Sequence, residues 1–126
     1  MQNAEQELLS QLRKSLTDRV QELKGLLPIL LGRQLMVKGS VYQLRRKCGK
    51  PTCHCADGTL HESMVLSWSE AGRTRLRSIP ERSVNRLRRL TERYQRFRKA
   101  RARLVQISKE ILEITNRIEE VRRSEP

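Results

Sequence analysis

Aromatic side chains are scarce in this chain, which holds one Trp, two Tyr and one Phe in 126 residues. A third of the residues are charged, so a domain of this length has little apolar bulk to bury and gains from an added staple. No apolar run approaches twenty residues and no N-terminal signal pattern is present. These absences argue against a membrane span and for a cytoplasmic protein. Paired carboxylates, a Ser-His-Asp grouping and a phosphate-cradling glycine loop are also missing, so the expectation is a protein that is not an enzyme and takes no small-molecule substrate. Cysteine is sparse and odd in number, at three, which argues against a disulfide framework.

Those three cysteines and both histidines fall between Cys48 and His61, among Gly49, Pro51 and Gly58. The spacing is Cys-x4-Cys-x-Cys-x5-His. Zinc takes four thiolate or imidazole ligands in a small tetrahedron, and a loop rich in Gly and Pro can fold nearby side chains onto one ion. Cys48, Cys53, Cys55 and His61 are the ligand set this spacing suggests, with His54 in reserve, because residues two apart in an extended segment point the same way. The expected cofactor is therefore structural Zn2+ in a knuckle, a zinc-finger-like element. Three reduced thiols packed as small core residues, or a thiol centre made reactive by Lys47 and Lys50, are the competing readings. A catalytic zinc is disfavoured because four protein ligands close the site and the deaminase order is absent.

The formal net charge is +13. It is unevenly placed. Residues 81–103 carry ten basic groups and two acidic ones, whereas residues 1–30 balance four against four. Such a field suits a polyanion, with nucleic acid ahead of a membrane surface.

In chain order, residues 4–27 predict an amphipathic helix with Leu8, Leu12, Leu16, Val20, Leu23 and Leu27 on one stripe. Pro28 interrupts it or opens a short second helix through Leu35. Strands are predicted at 41–47, 64–68 and 73–79, with a turn at residues 69–72, so the knuckle lies in the first connection of a meander. Arg73, Arg75 and Arg77 alternate onto one face, which Arg45 and Lys47 can share. Ser78-Ile79-Pro80-Glu81 resembles a capping box. From Glu81 to Arg122 neither Gly nor Pro appears, which predicts one helix about 63 Å long. Its apolar residues step by threes and fours like a coiled-coil seam, with a stammer where Arg101 occupies the seam position. Arg82, Arg86, Arg89, Arg93 and Arg96 form a second stripe. An N-terminal helix of about 36 Å folded back along it reaches only to about residue 105, so the tail from Leu104 to Val121 is expected to overhang and self-associate.

The reading is a mainly α chain with a small β element (α+β): an N-terminal helical segment (1–38), a zinc-knuckle three-stranded antiparallel meander (39–80) and a long coiled-coil helix (81–126). Residues 39–98 resemble a family of small bacterial, archaeal and phage proteins of unknown function, often encoded near transposases. The resemblance rests on Gly39-Ser40-Val41, Cys48-Gly49-Lys50-Pro51, Cys53, Cys55, Gly58, His61 and Tyr94-Gln95-Arg96-Phe97-Arg98. It implies that the three Cys and His61 belong together. Family members tend to continue after the His with Gly-Pro and an aromatic pair, where this chain has Glu62-Ser63-Met64-Val65.

Together these features predict a zinc-stabilised nucleic-acid-binding accessory or regulatory protein of a mobile element or phage, with DNA favoured over RNA. Phosphates would be met by Arg45, Lys47, Arg73, Arg75, Arg77, Arg86, Arg89, Arg93 and Arg96. A homodimer or other homo-oligomer through residues 104–121 is expected. The alternative is an assembly adaptor whose basic helix binds an acidic protein.

Overall fold

The computed structural model describes residues 2–47, 49–53, 58 and 60–125, in the order α1 (Gln2–Leu30), β1 (Ser40–Arg46), β2 (His61–Glu70), β3 (Arg73–Ser78) and α2 (Glu81–Arg122). The fold is α+β and mostly helical, with an open antiparallel sheet in the order β1-β2-β3. Two compact units divide the chain: Met1–Arg33 with Phe97–Pro126, and Gln34–Arg96.

The first unit is an antiparallel helix pair. As numbers rise along α1 their partners fall along α2: Leu12 and Ile114 line one cleft, Arg19 meets Glu110, and Glu22 meets Arg103. This pairing carries α1 along the tail of α2, so the expected overhang is corrected. Ile107 is 0% exposed, and Leu104, Ile111, Ile114, Ile118 and Val121 are half-buried. The seam at 104–121 is therefore covered by α1 within the chain. The reason lies in residues 34–39, which belong to the other unit and take up the chain between Arg33 and the sheet.

Two details of the seam also differ from expectation. On α1 the buried and half-buried residues include Leu9, Leu12, Leu16, Arg19, Val20, Leu23, Leu26 and Leu30, while Leu8 and Leu27 are exposed. An arginine thus occupies a seam position, which periodicity of apolar residues alone cannot reveal. On α2 the stammer is filled by buried Ala100, and Arg101 is exposed. Pro28 does not interrupt α1, which runs through it to Leu30. Placed in the last turn, it removes one backbone donor, and Leu31 N–H closes the end on the Leu27 carbonyl at 2.8 Å.

In the second unit β2 pairs with both neighbours. Val41, Leu66 and Arg77 are in one cross-strand row, and Leu44 and Ser63 are paired in another. Paired residues share a face, so Arg45, Arg73, Arg75 and Arg77 stand on one side and buried Val65 on the other. Gln95 of α2 donates to the Ser40 hydroxyl at 3.2 Å. Ser40 has the same face as Val65, and α2 meets the sheet there. Ile79, whose N–H donates to the Met64 carbonyl at 2.9 Å, continues β3 onto the opposite face, and with Val65, Val84, Leu90 and Thr91 it is buried. The strands β2 and β3 are joined by Ala71 (φ 50°) and Gly72 (φ 78°), the two positive φ values of a type I′ hairpin. Ser78 stays in β3 opposite Val65, so the expected capping box is not formed; Ser83 N–H donates instead to the Pro80 carbonyl at 2.9 Å. Before the sheet, Val37 N–H donates to the Leu90 carbonyl at 3.0 Å, which ties the 34–39 segment to α2.

Candidate nucleic-acid interface

Two groups of basic residues stand out in the Gln34–Arg96 unit, one on α2 and one on the sheet. On α2, Arg86, Arg89 and Arg93 fall at i, i+3 and i+7, the spacing that brings side chains onto one helix face. With Gln34, Leu35 and Leu90 they line a cleft of about 320 Å³. Arg93 donates to the Leu35 carbonyl at 3.3 Å, which fixes one wall. No carboxylate is among the lining residues, and among the described residues none pairs with Arg86, Arg89 or Arg96. Three guanidinium groups around a hollow with no counter-charge can bind an anion of phosphate size.

The second surface is the sheet face that carries Arg45, Arg73, Arg75 and Arg77. All four of its arginines are exposed, as expected, yet the face also carries two acids that strand parity alone did not bring out. Glu62, opposite Arg45, pairs with it at 3.1 Å and accepts from Gln43 at 3.0 Å. Glu70 pairs with Arg75 at 3.7 Å and accepts from the Trp68 indole at 3.4 Å. Arg73 and Arg77 have no carboxylate partner among the described residues. The sheet arginines and the α2 stripe therefore form separate surfaces.

Lys47 follows β1 and lines a cleft of about 490 Å³ with Arg46, His61 and Ser63. Beside it is the knuckle sequence. Cys53 Sγ and His61 Nε2 are 3.1 Å apart, and Cys53 N–H donates to the Lys50 carbonyl at 3.1 Å in a tight turn. Two ligands of one tetrahedral zinc are about 3.5 Å apart for sulfur and nitrogen. The Cys53–His61 spacing is close to that, and the pair is chemically suited to share an ion. Cys48, Cys55 and the reserve ligand His54 lie outside the described residues, and no group of three candidate ligands occurs among the described ones.

In the helix-pair unit, charge is arranged for cohesion. Arg103 donates twice to Glu22, from Nε at 2.6 Å and from Nη2 at 3.0 Å, and the same Nη2 reaches Glu110 at 3.5 Å, which also meets Arg19 at 3.7 Å. The Arg103 hydrogen bonds hold the Glu22 carboxyl below its usual pKa of 4.5 and raise that of Arg103.

These features define a small α+β protein with a basic cleft and a basic sheet face. The chain belongs to a family described as a domain of unknown function, DUF6788, which residues 5–89 match. No curated protein and no solved structure matches it. No helix among the described residues is long and apolar enough to cross a membrane.

Proposed function

We propose that this chain is a zinc-stabilised nucleic-acid-binding protein that holds the phosphate backbone, with DNA as its favoured partner, and acts as an accessory or regulatory factor. The observation that carries this reading is the cleft of Arg86, Arg89 and Arg93, free of carboxylates in its lining. Arginines that lack protein counter-charges repel one another until an anion arrives, and a polyanion presents phosphates at the repeat such a helix face can follow. The zinc rests on the Cys48, Cys53, Cys55 and His61 spacing together with the 3.1 Å Cys53–His61 approach. Its role is to staple the long β1–β2 connection. The resemblance of the knuckle motif to proteins encoded near transposases supports a mobile element or phage as the setting.

The test is fluorescence anisotropy of a labelled DNA duplex at low salt, with the wild type and the Arg86→Ala/Arg89→Ala/Arg93→Ala variant. Binding by the wild type and its loss in a variant that still melts cooperatively support the reading; equal binding by both refutes the role of the cleft. A second reading, assembly with an acidic protein, draws on the same cleft of Arg86, Arg89 and Arg93, whose guanidinium groups suit carboxylates as well as phosphates. Absence of nucleic-acid binding at low salt favours that alternative.

A further inference from the structure

Trp68 is the chain's one tryptophan, and it lies on the basic sheet face. The side chain is half-buried, in a row along β2 with half-buried Leu66 and Met64. Across the strand boundary it stands directly opposite Arg75, with Arg73 and Arg77 at the neighbouring positions of the same face. Glu70 holds both the Trp68 indole N–H, at 3.4 Å, and the Arg75 guanidinium, at 3.7 Å. A hydrogen bond to the indole N–H lies in the ring plane, so this contact steadies the ring by its edge and makes no use of its π face.

An aromatic ring steadied by its edge on an open sheet, bordered by exposed guanidinium groups, is the arrangement that stacks an unpaired base while cations meet the flanking phosphates. We infer that the Trp68 face binds a single-stranded segment of nucleic acid, with one base stacked on the indole and the adjoining phosphates held by Arg73 and Arg77. Those two arginines are the ones on this face that no carboxylate engages among the described residues, so they are the ones available to phosphate. The inference rests on the nucleic-acid reading above and adds the substrate class: a strand with at least one unpaired base. The stacking residue here comes from the middle of β2, at a different place from the aromatic pair that the resembling proteins carry after the His.

The experiment uses the full chain and a labelled oligothymidylate, with anisotropy reporting binding and tryptophan emission reporting stacking. Because Trp68 is the sole tryptophan, its emission reads this face alone. The expected result is quenching that saturates together with anisotropy, and an affinity loss of about 5- to 150-fold for Trp68→Ala with most of it restored in Trp68→Phe. A mixed-sequence strand annealed to its complement should bind without the quench. Binding of the oligothymidylate with unchanged emission, and with equal affinity in Trp68→Ala and Trp68→Phe, overturns the stacking assignment and leaves the nucleic-acid reading intact. Equal quenching by the annealed duplex overturns the unpaired-base assignment. Quenching by polyglutamate but not by the oligonucleotide assigns the face to an acidic protein and overturns the proposal. Failure of any nucleic acid to bind at low salt overturns the reading on which it rests.

Discussion

Replacing Ile107 by Ala tests whether α1 covers the tail of α2. Ile107 is 0% exposed, the one large side chain so fully enclosed among the described residues. Truncation of a buried Ile to Ala costs about 2–5 kcal/mol, from lost transfer free energy and the cavity left behind. Its seam neighbours Leu104 and Ile111 are only half-buried, so they can shift to refill part of the space. A few tenths of a kcal/mol return through the better helix propensity of Ala. The lower part of the range then applies, about 2–3 kcal/mol. For a chain of this length that is a fall of about 6–15 °C in Tm, read from helical circular dichroism. The control is Leu112→Ala on the same helix, 63% exposed, which should stay within about 0.5 kcal/mol of wild type. If the tail instead overhung, Ile107 would be an exposed seam residue and the two variants would melt together. Coincident melting would refute the packing described here.

Three further outcomes follow from individual contacts. Gly39 has φ +139° and a Cβ there would lie 2.5 Å from the Ser67 carbonyl oxygen, so Gly39→Ala should destabilise by about 1–3 kcal/mol in urea unfolding, whereas Gly25→Ala, with open space around it, should not. Glu22 has its folded pKa lowered by Arg103, so its contribution is present above its unfolded value near 4.5 and is lost as pH falls through the folded value. The wild type should accordingly exceed Glu22→Gln in stability at neutral pH, with the gap closing on acidification below about pH 4.5. Metal analysis of purified protein should give about one zinc per chain, lost in Cys53→Ser and His61→Ala; metal-free wild type would sink the knuckle.

Periodicity made the large elements legible. The 81–122 helix was readable to the residue because no Gly or Pro interrupts it, and the meander followed from alternating runs separated by Gly-containing turns. What the sequence could not show was partnership. Strand parity placed Arg73, Arg75 and Arg77 together, but the opposition of Glu62 to Arg45 depends on a register that only the folded pairing defines. Likewise Arg19 in the α1 seam is invisible to an apolar count, because its place depends on Glu110 across the pair. Ala100 escaped for the opposite reason, being too small to mark a seam. The grouping of Arg86, Arg89 and Arg93 was legible from helical spacing, while the Leu35 wall that makes them a cleft comes from a segment more than fifty residues earlier.

The central claim is that the α2 cleft arginines, which have no carboxylate partner among the described residues, hold phosphate, and the salt dependence of DNA binding tests it most directly. Each neutralised phosphate of a duplex contributes about −0.9 to the slope of log K against log salt. Three cleft contacts thus contribute about −2.7, or about a 40-fold loss of affinity between 50 and 200 mM salt. The account predicts a wild-type slope at least that steep, flattened by about 2.7 in the Arg86→Ala/Arg89→Ala/Arg93→Ala variant, on protein whose zinc content is measured in the same sample. A slope near zero, or one unchanged by the triple substitution, would contradict it.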